Sequence, residues 1–527
     1  VDPDTGRGFH GGPPMTGNWT DIALIALSLA YFVSAATAPL LSARRGWMLT
    51  QAGSAGALAT ALSLSFLAPP ASRLFSAAAM NLTVVVLVSF IGFIVARFST
   101  RYLEGDPGQK QFQRWLLVTL GCVAIVVTCN HLGILIAAWI GISLSLHQLL
   151  MYYPERKRAV LAAHKKFLFA RLAEACLIVA ALLLYQVHGS LYLSDILAAY
   201  AGSGVDLTFK EQLAALLIAS AAMVKCAQFP MHGWLIQVVE APTPVSALLH
   251  AGVINLGGFL LLAFAPLMLN AELANALLLV VAGLTFVAAA LITMTRVSIK
   301  VLLAWSTVAQ MGLMLVECAL GQYGLALLHL VAHSCYKAYA FLAAGGEVEN
   351  YLRKQLAVPA TPSAETLPAL FAVTGAALVA LIGAGYLGSN AALWLLLALF
   401  PMIMLSERSS EITRASVILT AGLGAAFALA YVAQKSFFSG LAPEGALPGL
   451  LPALWCTGLA SLLLGSYWLL RQHGHSKLGR TLYRNLYAGF YLDEWATRIT
   501  LAIWPAKLPQ RAALRKNTAY VDQENLS

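Results

Sequence analysis

The 527-residue chain is 59% hydrophobic and 11% charged, with mean hydropathy +0.76 and net charge +10, where a soluble domain carries about 25% charged residues. Apolar runs of around 20 residues recur throughout, each long enough to cross a bilayer as a helix. This excludes an ordinary soluble domain, and the basic excess reads as the positive-inside bias of a protein surrounded by membrane lipid, with no nucleic acid as partner.

In chain order, residues 1–14 (VDPDTGRGFHGGPP) are polar and Gly/Pro-rich. They are expected to be a disordered extension or expression remnant, with no cleavable signal peptide. The apolar runs then predict membrane helices near 21–41, 47–67, 78–98, 115–129, 130–153, 166–187, 212–232, 244–265, 272–294, 299–320, 322–344, 366–386, 390–406, 412–433 and 449–471. Backbone groups in lipid must bond internally, so the fold class is an all-α polytopic membrane protein. The short alternating segments of a β-barrel are not seen. Alternating the loops places Arg44, Arg45, Arg97, Arg101, Arg156 to Arg158, Lys165, Lys166, Arg296, Lys300, Arg353 and Arg471 on one side. The other side receives little beyond Arg73, Lys210 and Lys435. The first side is expected to be cytoplasmic, with the N-terminus outside and the C-terminus inside a bacterial plasma membrane. GAGYLGSN (383–390) reads as a tight loop or a break within a helix. The segment RNLYAGFYLDEWATRITLAIWPAKLPQ interleaves aromatics with charges and predicts an amphipathic helix on the cytoplasmic surface, suited to docking. The seven cysteines form no CxxC pair and read as small core residues.

Against this apolar background, ionisable residues inside the predicted spans are the functional candidates. Lys225 ends the run LAALLIASAAMV, and Pro230 and Gly233 follow it, so a helix break is expected there. An ionisable group at a broken helix is a recurrent ion-binding device; the alternative is a lysine snorkelling to the interface. Arg171 and Glu174 lie three apart on one helix face. Glu174 has three possible arrangements: paired with Arg171, paired with Lys225, or switching between them. His250 lies about two turns into the helix that follows Pro242 and Pro244. His329, His333 and Lys337 repeat every four residues, a one-sided polar stripe about 12 Å long that suits proton hopping through waters. The rival reading of these histidines is a haem or metal site, against which Lys337 on the same stripe would repel a cation. Glu317 reads as a weaker candidate facing water near the outer end. No P-loop, GxGxxG unit or nucleophile elbow is present. Any pumping would draw on an ion gradient or a partner.

The stretch KCAQFPMHGWL…APTPVSALLHAG, with ARLAE (170–174), SIKVLLAWSTVAQMG (298–312) and HLVAHSCYKAYAFLAAG (329–345), resembles the proton-conducting antiporter-like membrane subunits. That family includes the NuoL-type subunit of respiratory complex I, the Mrp-type cation/proton antiporters and the DabB subunits of inorganic-carbon accumulation complexes. The resemblance implies 14–15 transmembrane helices, with two inverted five-helix repeats and broken helices. It divides the chain into N-terminal helices (15–114), a first repeat (115–265), a second repeat (266–433), a C-terminal transmembrane helix (434–480) and an amphipathic tail (481–527). It implies Lys225 as the central proton-carrying lysine and Lys337 as its counterpart. His250, His329 and His333 become relay positions and Arg171/Glu174 a gating pair, while Lys300 is a cytoplasmic-side position of open role.

Departures narrow the expectation. Where the family usually carries Trp-Glu, this chain has Trp139-Ile140; where complex I subunits show an exit lysine, GYLGSNAAL offers Ser389 or a neighbour; and only about 55 residues follow position 471, too few for the long lateral helix of complex I subunits. These favour the DabB branch. That reading implies no catalysis and no cofactor in this chain, and a large soluble cytoplasmic DabA-like partner holding zinc. Proton inflow (Na+ being the open alternative) would be coupled to CO2 hydration and bicarbonate accumulation. The other readings are a complex I- or Mrp-type pump or antiporter subunit, and a non-conducting membrane anchor.

Overall fold

The computed structural model describes residues 19–67, 72–200, 204–356 and 437–504, apart from 439, 444 and 446–448. Among these, every regular element is a helix; two isolated bridges join Phe75 to Cys129 and His131 to Tyr192. The order is α1 (Trp19–Thr37), α2 (Ala43–Leu67), α3 (Ala79–Tyr102), α4 (Gln109–Thr128), α5 (Leu132–Leu150), α6 (Lys157–His188), α7 (Leu193–Ala198), α8 (Phe209–Lys225) and α9 (Gly233–Gln237). Next come α10 (Thr243–Ala251), α11 (Leu256–Ala263), α12 (Ala265–Leu269), α13 (Glu272–Thr293), α14 (Ile299–Ala319), α15 (Tyr323–Leu342) and α16 (Glu347–Leu356). The described C-terminal part holds α17 (Leu450–Gln472), α18 (Lys477–Tyr487) and α19 (Glu494–Ile503). Ten helical stretches among the described residues are long and apolar enough to span a membrane. The expected helices at 366–386, 390–406 and 412–433, the GAGYLGSN element and residues 1–14 lie outside the described residues.

Large apolar side chains on α1, α6 and α13 remain exposed, among them Ile22, Leu29, Leu172, Leu182, Val280 and Leu284. Lipid would cover these faces at no hydrophobic cost, because its tails are as apolar as leucine. Buried alanines line the packed side of α8, Ala214, Ala215, Ala219 and Ala222, and let it approach α6 and α11 closely. The segments α10 and α11 are almost wholly buried and sit at the centre of the molecule, with α3, α8, α14 and α15 around them.

Two breaks carry the architecture. Helix α8 begins with a capping box: Glu211 accepts from the Thr208 amide at 2.7 Å, and Thr208 Oγ1 accepts from the Glu211 amide. It stops at Lys225, because Ala227 takes a left-handed conformation (φ 52°) and Pro230 has no amide to donate. The second break separates α10 from α11 at Gly252, where φ is −124° and ψ −73°. The expected single helix over 244–265 is therefore two segments joined by a short 3-10 turn, Val253–Asn255.

Helix α6 corrects another expectation. It starts at Lys157, nine residues before the predicted span, and its 32 residues make it about 48 Å long. The basic run that reads as a loop is a helical extension, with Ala159, Ala162, Ala163, Lys166 and Phe169 buried at helical spacing. Lys165 and Lys166, expected among the solvated cytoplasmic charges, are 0% and 4% exposed.

Candidate functional site

The ionisable candidates fall into two groups. The first lies between α5, α6 and α8. Arg171 Nη2 donates to Glu174 Oε1 at 2.7 Å and to Ser143 Oγ at 3.0 Å. Lys166 Nζ donates to the Ser143 carbonyl at 2.6 Å. Lys225 Nζ stands 4.7 Å from the centre of the Trp139 ring, one helical turn from Ser143. The Coulomb fields of Glu174 and Lys225 act on each other, yet the salt bridge of Glu174 is to Arg171. Of the three arrangements open in the sequence, this one pairs Glu174 with Arg171 and leaves Lys225 half-buried against an aromatic face.

The second group lines α14 and α15. His250 Nδ1 is 3.1 Å from Thr307 Oγ1, and its ring stacks on Phe341 with centroids 4.4 Å apart. Lys337 is fully buried, and its Nζ donates to Ser306 Oγ at 2.6 Å and to the Leu303 carbonyl at 3.0 Å. One turn along α15, His333 is buried with both ring nitrogens unpartnered. A further turn brings His329, whose ring centre is 6.2 Å from that of His333. Its Nδ1 lies 3.0 Å from each oxygen of Glu317, and its Nε2 is 2.9 Å from Gln310 Oε1. Glu317 is fully buried, so the expectation that it faces water is overturned. The predicted stripe of His329, His333 and Lys337 therefore faces a second stripe on α14: Leu303, Ser306, Thr307, Gln310 and Glu317. Lys300, at the start of α14, belongs to neither group and is half-buried.

Gln228 lies between the groups. Its Nε2 donates to the Cys226 carbonyl at 2.8 Å and lies 3.5 Å from the Val308 carbonyl on α14, while its Oε1 is buried without a partner. Sequence reading missed Gln228, Ser143, Lys166 and the stations on α14. Ser306, Thr307 and Gln310 recur at three- and four-residue intervals, a signal present in the sequence; nothing local marks Ser143 or Lys166.

The C-terminal segment also differs from expectation. It is two helices, α18 and α19, joined through three successive left-handed residues, Gly489, Phe490 and Tyr491. It docks on the chain itself. Asp493 accepts from Lys165 Nζ at 2.7 Å and from Gln237 Nε2 at 3.0 Å, and Lys165 also donates to Thr497 at 2.7 Å. Asp493 presses directly on Gly233, where a Cβ would overlap its carboxylate. Burial pushes the Asp493 carboxyl above its ordinary range, and the Lys165 ammonium pulls it back. Trp495 meets Phe169 edge-on, and Trp504 stacks on His164 at 4.8 Å. Asp493→Ala leaves the buried Lys165 ammonium short of its counter-charge. Breaking a buried pair costs about 3–5 kcal/mol, and the quarter-exposed Asp493 brings the expected loss nearer 2 kcal/mol. Trypsin cleavage after the exposed Arg498 should accelerate by about thirtyfold, in a gel time course on the purified protein.

Comparison with known proteins places this geometry. The family model described as NADH:quinone oxidoreductase/Mrp antiporter, transmembrane, matches residues 129–406. The chain is 51% identical over 439 residues to the probable inorganic carbon transporter subunit DabB of Hydrogenovibrio crunogenus, covering 83% of this chain and 85% of that one. It is 36% identical over 511 residues to the probable inorganic carbon transporter subunit DabB2 of Halothiobacillus neapolitanus, covering 93% and 89%. Among solved structures, a chain of the Mrp complex from a Dietzia species matches with TM-score 0.63 at 24% identity. That match covers 93% of this chain and 61% of that one, a likeness of fold.

Proposed function

This chain belongs to the NADH:quinone oxidoreductase/Mrp antiporter transmembrane family, and from that premise we propose that it is the proton-conducting membrane subunit of an inorganic-carbon accumulation complex. One observation carries the reading. Lys225, His250 and Lys337 lie inside a bundle of membrane-length helices, and the first two stand at helix breaks. Ionisable groups in such surroundings are costly, and they mark ion pathways by default. Relatives that this chain matches over most of its length carry the name of inorganic carbon transporter subunits.

In this reading protons pass by way of Glu174, Lys225, His250 and the His329–His333–Lys337 stripe. Arg171 holds Glu174, and Ser306 and Thr307 orient Lys337 and His250. The C-terminus faces the cytoplasm. There a soluble DabA-like partner, which holds the zinc, hydrates CO2 and releases bicarbonate; this chain contributes no catalytic group.

The test uses cells lacking carbonic anhydrase. Expressing this chain together with its soluble partner should restore growth in air, and an uncoupler should abolish the rescue. Replacing Na+ by K+ should leave it intact. A zinc protein should co-purify with the chain. Co-purifying iron–sulfur subunits would move the chain to a redox-driven complex. Rescue that survives the uncoupler would reduce it to a membrane anchor.

A further inference from the structure

We propose that Glu317 and His329 form a proton-exchange site at the end of the second polar stripe remote from Lys300, with one proton shared between carboxylate and imidazole. The inference rests on the proton-conducting reading above and adds an acid to its pathway.

A fully buried carboxylate demands a counter-charge or a proton. Among the described residues no lysine or arginine pairs with Glu317; its side chain's partner is His329 Nδ1, equidistant from both carboxylate oxygens at 3.0 Å. The other ring nitrogen has its own partner. In this amide orientation Gln310 Oε1 accepts, so Nε2, 2.9 Å away, carries the ring hydrogen. Nδ1 is then the one ring atom free to gain or lose a proton, and it faces Glu317. The pair exists as carboxylic acid with neutral imidazole, or as carboxylate with imidazolium, and either form is neutral overall.

Position supplies the rest. His329 keeps 11% of its side chain exposed while Glu317 keeps none, so the imidazole is the accessible member of the pair and the carboxylate stands behind it. One turn inward is His333 with both nitrogens unpartnered, followed by Lys337 a further turn along. Transfer inward therefore balances simply: the one proton shared between Glu317 and Nδ1 of His329 passes by way of water to a ring nitrogen of His333, leaving carboxylate, neutral imidazole and a His333 imidazolium. Uptake of one proton from outside restores the pair.

The charge pattern points the same way. Among the described residues, Glu317 is the one buried carboxylate on α10 to α15, and its partner His329 begins the stripe that continues through His333 to Lys337. In a low-dielectric interior a proton resting on that stripe needs an anion close by. Among the described residues, Cys318 lies beside Glu317, Tyr323 lies beside Cys318, and His333 neighbours His329.

The test is made on the purified complex in proteoliposomes and by infrared difference spectroscopy. Glu317→Gln keeps the shape and can still hydrogen-bond His329, so a merely structural tie would survive it. We expect proton flux to fall by about tenfold or more with an altered pH profile, and Glu317→Asp to retain part of it. A carboxyl stretching band that titrates in the unaltered protein should vanish in Glu317→Gln. Unchanged flux and pH profile in Glu317→Gln, or a band that persists, overturns the proposal. A hydrophobic carbodiimide, which attacks protonated buried carboxyls, should label Glu317 in the unaltered protein; absence of the adduct overturns the proposal without any variant. If the unaltered complex conducts no protons but the Glu317-dependent band still titrates, the conducting reading fails and the exchange site stands.

Discussion

Lys225→Ala is expected to abolish growth in air of carbonic-anhydrase-deficient cells and to lower proton flux by about a hundredfold, with the amount of chain in the membrane unchanged. The separation of function from folding follows from what Lys225 touches. Its ammonium lies over Trp139 at 4.7 Å, and no hydrogen bond or salt bridge to it is recorded among the described residues. Truncating it orphans no partner. Lys337 and Lys166 differ, since each caps a backbone carbonyl, at Leu303 and at Ser143. Alanine at either leaves a buried acceptor unmet, at about 1–3 kcal/mol, and mixes a folding defect with a functional one. Lys225→Arg is the sharper variant. A guanidinium keeps the charge and the aromatic contact, yet it does not release its proton in a protein. If Lys225 only snorkels to the interface, arginine replaces it with little loss; if it carries protons, arginine is as inactive as alanine. Measuring bicarbonate accumulation in both variants, normalised to chain level, decides between the two.

What could be read from residues alone divides by range. Helices announce themselves through apolar runs, and the break after Lys225 follows from local chemistry, Pro230 and Gly233; the break at Gly252, inside an expected single helix, is not read from the residues. The His329–His333–Lys337 stripe and the Arg171–Glu174 pair are likewise set by helical spacing, because neighbours at three and four residues share a face. The other failures are long-range. Lys165 reads as one more loop cation, and its partner Asp493 is 328 residues away. Glu317 reads as a solvent-facing acid, because its burial depends on α15 folding back over α14. Ser143 carries no motif; it matters because α5 and α6 place its hydroxyl and carbonyl between Arg171 and Lys166. Spacing along one helix reveals a face, while the identity of what covers that face is decided by another helix.

The two adjacent glycines that open α11 should respond very differently to the same substitution. Gly257 faces α8: a Cβ there would stand 2.7 Å from the Ala222 carbonyl oxygen and 2.5 Å from Cys226 Sγ. Gly258 faces α14, and a Cβ there would meet the end of the Met314 side chain. Alanine gains about 1 kcal/mol over glycine inside a helix, equally at both sites. The obstacles differ. Met314 has three rotatable bonds and a polarisable end that can swing aside, so Gly258→Ala should be neutral or slightly stabilising. The Ala222 carbonyl is helix backbone in a close-packed interior and cannot yield, so α8 and α11 must move apart. Overpacking of this kind costs about 1–3 kcal/mol and shifts backbone. Here the shift falls on Cys226, the residue after Lys225, and on the turn at Ile254 whose carbonyl lies 3.5 Å from the Cys226 thiol. Gly257→Ala should therefore lower the thermal midpoint of the purified protein. It should also reduce proton flux by about tenfold, since small misplacements of a reacting group cost rates of that order. Equal behaviour of the two variants in both measurements would mean that α8 and α11 do not meet as closely as Gly257 requires.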